Sequence, residues 1–328
     1  MGVIDTVEWQ FFEETTWGTS GTATKRLLGI TEGNLTPKVP TKVIRQIRGS
    51  RGPGSLAARE STAGEGSVKG VATYEHINYW LENLLGKITP TGAGPYVRAG
   101  AAPLAAAFAP RLMTLFKGDT DGVYKLEGAL VDGFTLECEQ SESDSEATFE
   151  VKLLGKDVVT GTLAAALSDD SLTPIMAADW SIWIDPIATA PGTTQVQTTI
   201  RKLALKLSAG RVLKPYLGSL APGGWEQPGF ASDKQSLALT MEFNATSKAY
   251  LDALLGASTA PKNIRLKALN GTNIMQFDLG CVAKDAPELF NDADGVKTLE
   301  IEYNVLESSQ AAMLNWLKYS NTCGQATL

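Results

Sequence analysis

The chain has few of the side chains on which metal and covalent chemistry depend. Among its 328 residues the only histidine is His76, and the three cysteines, Cys138, Cys281 and Cys323, lie far apart without a Cys-x-x-Cys pair. This spacing predicts neither a disulfide framework nor a zinc site, and it is typical of a reducing compartment. Because His76 has no evident partner residue, we expect it to be structural. The sequence predicts no catalytic residue, no cofactor, no metal and no enzyme activity.

The chain also has no excess of positive charge and no long apolar run. Lys and Arg number 29 against 36 Asp and Glu, for a net charge of -7, so the surface is not built to grip phosphate groups. Residues 1–14 have neither the basic nor the apolar region of a signal peptide. The most apolar stretch, 99–116, is broken by Pro103, Pro110 and Arg111 and cannot cross a bilayer as one helix. These absences predict a soluble protein with no membrane partner.

What the sequence does have is an internal similarity. Residues 66–86, GSVKGVATYEHINYWLENLLG, align without a gap with residues 236–256, SLALTMEFNATSKAYLDALLG. Both segments end in Leu-Leu-Gly after apolar residues spaced for one helix face, and the terminal glycine suits the residue that closes a helix. Before the second helix, apolar and polar residues alternate as in a strand, and Asn244 or Thr246 can cap the helix.

A second similarity follows each predicted helix, between residues 128–153 and 280–305. In both segments apolar and polar residues alternate, which predicts strands with one buried and one solvated face. An acidic turn, 141–146 or 291–295, precedes each strand, and the Asp, Asn and Gly residues of 291–295 favour a hairpin turn there. Because the two similarities occur in the same order, we expect a duplicated unit.

The predicted fold is α+β and mainly β, with two tandem copies of a β-sandwich or barrel unit that each carry a short flanking helix. Residues 1–168 form the first copy and residues 169–328 the second. An amphipathic pattern at 309–319 predicts a final helix. Residues 49–66 are rich in Gly and Ser with few large apolar side chains. We expect a long loop there, either a surface loop or an arm that orders against a neighbouring subunit.

One interpretation from another class stays open from the residues alone. Trp180 and Trp183 could form an aromatic platform for a sugar, with scattered carboxylates nearby, as in a carbohydrate-binding or hydrolytic two-domain β-protein. Aromatic residues in a short strand are, however, more often part of a core or an interface.

The order of the elements resembles the duplicated tail tube proteins of siphophages. Residues 13–22, EETTWGTSGT, are similar to that family's opening motif of a glutamate shortly before an aromatic-Gly-Thr triplet, here at 17–19. Residues 43–52, VIRQIRGSRG, resemble the strand that enters the family's long arm, and the helix ending in Leu-Leu-Gly follows in family order. No arm as rich in glycine is evident in the second half, where residues 219–234 are the candidate for a shorter counterpart.

The resemblance implies a structural protein of the virion that assembles in the host cytoplasm as stacked rings. The rings form the tail tube, through which DNA passes without specific binding. Because family rings contain six such units, a duplicated chain implies a trimer that imitates a hexamer. Its partners would be further copies of itself and tail proteins such as the tape measure, terminator and baseplate proteins. The inner tube of a contractile injection machine shares the architecture but is usually built from one unit per chain, which the duplication disfavours.

Two sets of residues are candidates for roles in such a tube. The arm offers contacts between rings, and the polar faces of the wall strands offer carboxylates that would repel DNA from the bore. The arm set is Arg51, Leu56, Arg59 and Glu60, and the set facing the lumen is Glu150, Glu242, Glu300 and Glu302. A solvated position on the outside of the tube is the alternative for the four glutamates.

Overall fold

The computed structural model describes residues 7–44, 56–59, 62–92, 95–101, 109–141, 145–196, 199–217, 219–227, 234–255, 260–284, 291–293, 296–306 and 317–323. In these residues the chain is mainly β, with two short α-helices, which confirms the prediction of an α+β, mainly β chain. The helices are α1 (Ile77–Leu85) and α2 (Ala245–Leu255). The strands are β1 (Glu8–Glu13), β2 (Lys25–Arg26), β3 (Ile30–Lys38), β4 (Thr41–Ile44), β5 (Leu56–Arg59), β6 (Ala63–Val71), β7 (Tyr96–Ala101), β8 (Met113–Gly118), β9 (Val123–Glu139), β10 (Thr148–Gly155), β11 (Asp157–Thr160), β12 (Trp180–Pro186), β13 (Gln195–Val196), β14 (Ile200–Ser208), β15 (Val212–Lys214), β16 (Gly224–Glu226), β17 (Ser236–Glu242), β18 (Lys262–Asn270), β19 (Asn273–Ala283), β20 (Asn291–Ala293), β21 (Val296–Val305) and β22 (Leu317–Cys323).

Seven antiparallel strands form the main sheet, in the order β3, β6, β10, β9, β14, β17 and β21. In β17, Leu237, Leu239 and Met241 are fully buried while the residues between them are not, as expected for a strand with one face on the core. The same alternation holds in β10 and β21, which confirms both strands predicted from it. β20 pairs with the start of β21, with Ala293 opposite Val296, and this confirms the hairpin predicted at that point.

The core lies between the main sheet and a second layer of strands. β9 takes part in both layers, since its first part pairs with β8 and β11 and its second part with β10 and β14. Later in the chain, β12, β18, β19 and β22 pair in that order, and β22 also pairs with β7. One cluster of buried apolar side chains runs through strands of both halves. The packing therefore joins the early and late parts of the chain.

Both helices occur where the sequence predicts them, but their surroundings differ. α1 follows β6 and ends before Gly86, whose φ of 115° is accessible to glycine and rare for other residues. At the start of α2, the side chain of Asn244 accepts hydrogen bonds from the amides of Thr246 and Ser247 at 2.9 and 3.2 Å, so Asn244 is the cap. The expected apolar stripe is an incomplete description of α1, because all of its residues are buried, including Glu82.

The predicted C-terminal helix at 309–319 is wrong for its last three residues. Residues 317–319 begin β22, which is inserted between β19 and β7. A strand flanked on both sides satisfies its backbone groups through two hydrogen-bond ladders, and this outweighs the helix-like periodicity. Within β22, Asn321 is fully buried and accepts a hydrogen bond from the Asn78 side chain of α1 at 3.1 Å. The remainder of the predicted helix, 309–316, lies outside the described residues.

Two hairpins leave the same end of the main sheet. The first, β4 with β5, follows β3, and the second, β15 with β16, follows β14. We call this end of the sheet the hairpin end. The opposite end, where α1 and α2 follow β6 and β17, is called the helix end.

The first hairpin corrects the expectation for the predicted arm. A loop across residues 49–66 is wrong for Leu56–Arg59, which pair with β4, and for residues 63–66, which belong to β6 and pair with β3. The Gly and Ser content of this stretch concealed the strands because Ala and small residues carry little of the alternation that marks a half-buried strand. The second hairpin begins at Val212, earlier than the suggested counterpart at 219–234.

Candidate assembly surfaces

A buried glutamate explains the Glu-x-x-Trp-Gly motif near the N terminus. The carboxylate of Glu14 accepts hydrogen bonds from the Gly18 amide at 2.6 Å, the Gly128 amide at 2.8 Å and the Thr114 hydroxyl. Trp17 donates from Nε1 to the Gly128 carbonyl at 2.8 Å. At Gly128, φ is 62° and a Cβ would lie 2.6 Å from Trp17 Nε1, so glycine is required. Burial raises the pKa of Glu14, and its hydrogen bonds act against the shift. The motif therefore anchors the N-terminal segment to β9.

The early and late halves of the chain join edge to edge in the main sheet. β9 pairs with β14 from Glu139 opposite Lys202 to Gly133 opposite Ser208. An ion pair with an N–O distance of 3.1 Å joins the side chains of Lys202 and Glu139. The sheet of the first half thus continues into the second half through an antiparallel backbone ladder.

The main sheet has open edges. Among the described residues, β3 at one edge pairs only with β6. At the other edge, β21 pairs with β20 at its start and with β19 at its end, and β20 pairs only with β21. Most residues of β3 are exposed. The unpaired N–H and C=O groups of such an edge form a template for another strand. β3 also carries Glu32, Pro37 and Lys38, residue types that discourage unspecific pairing at an edge.

Arg211, at the base of the second hairpin, fastens that hairpin to the first half. Its guanidinium donates to the carbonyl of Asn83 at 2.5 Å, to Asn83 Oδ1 at 2.8 Å and to the carbonyl of Leu84 at 3.3 Å. These bonds satisfy carbonyls at the C-terminal end of α1, where a cation is also favoured by the helix dipole. The guanidinium lies 5.3 Å from the centre of the Trp225 ring. Burial lowers the pKa of Arg211 to about 9 and Asp132 acts against the shift, so the side chain is charged at neutral pH.

A buried ionic cluster holds another side of α1. Glu82 lies 2.9 Å from Arg111 Nη2 and 3.3 Å from Arg98 Nε, and all three side chains are buried. Burial raises the pKa of Glu82, and Arg111 and Arg98 act against the shift. In the alignment of the halves, Glu82 corresponds to Asp252, which is exposed and paired with Lys248. The cluster is therefore a feature of the first half.

The four glutamates predicted to face a lumen share one face of the main sheet. Each alternates with buried residues and lies on the side of the sheet away from the core. These residues are Glu150, Glu242, Glu300 and Glu302. Glu137 and Glu139 lie on the same face, but so do lysines, and Lys69 is 3.7 Å from Glu150. The lysines of this face are Lys38, Lys69, Lys152, Lys202 and Lys206. The face is thus mixed in charge, with a small excess of carboxylates.

The predicted arm residues are only partly placed. Leu56 and Arg59 lie in β5, where Leu56 is opposite Ile44 and Arg59 is opposite Thr41. The other two lie outside the described residues, and they are Arg51 and Glu60.

The residues of the sugar-binding interpretation do not form one platform. Trp180 and Trp183 lie three positions apart in β12, and so they belong to opposite faces of the strand. His76 is buried, with Nε2 3.4 Å from the Asp170 carboxylate, and its ring packs against Tyr79. In the described ranges, no group of three or more His, Cys, Asp and Glu residues is placed to hold a metal ion. No helix of this part of the chain is long and apolar enough to cross a membrane.

The described part of the chain is mainly β, with an open sheet edge at β3 and two hairpins at one end of the sheet, and such an edge is a template for pairing with another strand. A family model described as phage tail tube protein matches residues 10–305. The chain therefore belongs to the phage tail tube protein family, which confirms the resemblance seen in the sequence. Membership makes it a structural component of the virion tail. A search of curated proteins gave no match.

Proposed function

We propose that three copies of this chain form a closed ring and that stacked rings form the tail tube that conducts phage DNA. The observation that carries the proposal is the pairing of β9 with β14, in which the sheet of one half continues into the next. If each half is a copy of one tube unit, divided near residues 168 and 169, this joint is a template for the contact between chains. The family membership supports self-association in general.

The difference in burial between β14 and β3 supports the use of this joint as a template for the contact between chains. In the alignment that places Ser236 on Gly66, β14 corresponds to β3. Leu205 and Leu207 are buried in the joint, whereas their counterparts in β3, Leu35 and Pro37, are half-buried and exposed. A strand added along β3 by a neighbouring chain would cover these positions and pair the open edge.

The second alignment identifies the strand that a neighbour would add. It places residues 133–139 of β9, which form the joint, on residues 285–291, and among these Asn291, the first residue of β20, is the one that the structure describes. The joint repeated between chains therefore sets Asn291 of one chain opposite Glu32 of the next, as Glu139 stands opposite Lys202 within the chain. A head-to-tail contact of this kind closes into a ring when its rotation is a whole fraction of a turn. Three duplicated chains then give six units.

In this ring the polar face of the main sheet lines the lumen, because the second layer of strands covers the other face. The four glutamates assigned to the lumen are Glu150, Glu242, Glu300 and Glu302. Since lysines share the face, its negative potential is modest, and it weakens DNA adsorption without strong repulsion.

The hairpin end of one ring faces the helix end of the next in a stack of uniform polarity. The first hairpin therefore contributes to ring stacking, and the residues proposed for this contact are Arg51, Leu56, Arg59 and Glu60. At the ends of the tube the proposed partners are the tape measure, terminator and baseplate proteins. Assembly in the host cytoplasm is part of the same proposal.

A cysteine pair tests the contact between chains. Directly opposed residues of an antiparallel ladder have Cα–Cα distances that a disulfide spans. We expect the double variant Glu32→Cys with Asn291→Cys to form covalent trimers on mild oxidation, seen on non-reducing gels, with rings visible by negative-stain microscopy. The matched control is Glu139→Cys with Lys202→Cys, which should close a disulfide within one chain and leave its mass unchanged.

The single variants measure the background from the native cysteines. Covalent trimers from Glu32→Cys alone would show that another cysteine reacts and that the pair reports nothing about β20. A double variant that stays uncrosslinked while the control pair closes would refute the proposed joint.

A further inference from the structure

The second hairpin carries an exposed apolar tip. Four of the seven large apolar side chains that are exposed in the described residues lie on it, and Leu217 at the turn is fully exposed. Such a concentration in one place marks an interaction surface, whereas scattered exposed apolar residues would not. Three of the four, Tyr216, Leu217 and Leu220, lie in the turn and form the tip, and the fourth, Val212, lies at the base of the hairpin.

The hairpin holds this tip in a fixed position. The carbonyl of Leu220 accepts a hydrogen bond from the amide of Thr62 at 2.6 Å, which ties the turn to the first half. The Tyr216 ring packs against Gly223, where a Cβ would lie 2.4 Å from the ring. At the base, Arg211 is bonded to the end of α1. A tip that is packed internally and tied to the first half at two points loses little conformational entropy when it binds a partner.

The second hairpin follows the end of β14, and a cavity of about 340 Å³ opens at the start of that strand, between β9, β12, β13 and β14. Its apolar walls include Trp180, Ile182, Val196 and Leu203. Nη1 of Arg201, which also lines the cavity, is buried and has no hydrogen-bond acceptor among the described residues. A buried N–H without an acceptor is costly. The cavity therefore suits an occupant that has an apolar body and an oxygen acceptor.

The tip of the second hairpin has both properties. An apolar cavity of about 150 Å³ holds a benzene molecule, so the larger cavity accommodates a leucine side chain together with part of the turn that carries it. The carbonyl groups of a turn supply acceptors for Arg201.

The positions of tip and cavity fit a stack of rings. The cavity adjoins the start of β14 at the helix end, and the hairpin follows the end of β14 at the hairpin end. At the usual rise per residue this strand spans about 30 Å. When rings stack with uniform polarity, the tips of one ring face the cavities of the next. A contact between two different surfaces can repeat without limit and so extends a tube.

We propose that Leu217 of a chain in one ring inserts into this cavity of a chain in the adjacent ring, where a turn carbonyl accepts a hydrogen bond from Arg201. The inference rests on the proposed function, since it requires stacked rings. It adds the second hairpin and its receptor to the contacts proposed for the first hairpin.

The first test separates stacking from ring formation. We expect Leu217→Asp to leave rings intact but to lower the ratio of tubes to rings about tenfold or more, because one leucine burial per contact is lost. Leu217→Met should stack as the unchanged chain does. The matched control is Leu269→Asp, at an exposed apolar residue away from the second hairpin, and it should also stack normally. Negative-stain microscopy and sedimentation give the ratio.

The outcomes distinguish this inference from the proposed function. Rings and tubes of Leu217→Asp in the unchanged ratio would overturn the insertion of Leu217 while leaving the ring intact. An unchanged chain that forms neither rings nor tubes would contradict the proposed function and the insertion together.

The second test locates the contact. Ser181 lines the cavity, so Leu217→Cys combined with Ser181→Cys should give covalent ladders longer than one ring in tubes but not in isolated rings. Leu217→Cys combined with Leu269→Cys is the mismatched control and should give no ladder. Tubes that stay uncrosslinked with the first pair would overturn the proposed receptor.

Discussion

The anchoring of the second hairpin by Arg211 makes a quantitative prediction. Arg211→Ala removes the donors for the carbonyls of Asn83 and Leu84. Each buried carbonyl left without a partner costs about 1–2 kcal/mol, and the lost bond to Asn83 Oδ1 is partly replaced because the amide of Val131 still donates to that atom at 2.7 Å. The variant also removes the buried charge of Arg211, which recovers part of the free energy lost at the two carbonyls. We therefore expect the free energy of unfolding to fall by about 3 kcal/mol, with a fall in Tm of roughly 6 °C.

Urea denaturation of the dilute monomeric chain, followed by circular dichroism and tryptophan fluorescence, measures this change. Lys214→Ala is the matched control, since Lys214 lies on the same hairpin in an exposed pair with Glu226 and its loss should not alter stability measurably. Arg211→Lys keeps the charge but lacks the planar fork, so it should recover only part of the loss. If Arg211→Ala unfolds at the same urea concentration as Lys214→Ala, the hairpin is not anchored through α1 and the reasoning is refuted.

Three further predictions concern single buried groups. Glu82→Leu leaves two buried arginines facing an apolar side chain and should lower the free energy of unfolding by about 3–5 kcal/mol in urea titrations. Glu82→Gln should cost less, and equal losses would contradict the pairing of Glu82 with the two arginines. Burial lowers the pKa of His76 below 6.5 and Asp170 acts against the shift. The unfolded chain therefore binds more protons below pH 6.5, stability should fall as the pH drops toward the folded pKa, and His76→Gln should flatten that part of the pH profile. Asp185→Ala leaves the amides of residues 192–194 without their acceptor and should lower the free energy of unfolding by about 2 kcal/mol, measured by thermal unfolding. Asp185→Asn keeps an acceptor oxygen and should cost less. If the two variants lose the same stability, the effect comes from the charge and not from the lost acceptors.

The strands and helices with strong periodicity could be predicted from the sequence. In β17 the alternation of Leu237, Leu239 and Met241 with polar residues has only one arrangement that buries the apolar set, so the strand and its core face follow directly. The cap at Asn244 is equally local, because its side chain bonds to amides two and three residues away.

The features that the sequence predicted wrongly, or did not predict, depend on partner residues far away in the chain. Residues 317–319 have a pattern compatible with a helix, and only their position between β19 and β7 makes them a strand. Nothing near Arg211 in the sequence indicates that it closes a helix more than a hundred residues earlier. The joint of β9 with β14 likewise depends on strand order, which alternation does not encode. The sequence therefore predicted the kinds of candidate surface, namely polar strand faces and projecting arms. It did not predict which strands and side chains pair to form them.

The insertion of β22 between β19 and β7 orders the events of biosynthesis. The ribosome makes residues 317–323 after both strands to which they pair, and Asn321 then completes the burial of Asn78 in α1. The first half therefore cannot finish its own packing while only its own residues have emerged, because a strand made later supplies part of its core. Contacts between residues so far apart in the chain also form slowly. The packing around α1 is consequently completed only after residue 321 has been made, although α1 itself lies more than two hundred residues earlier in the chain.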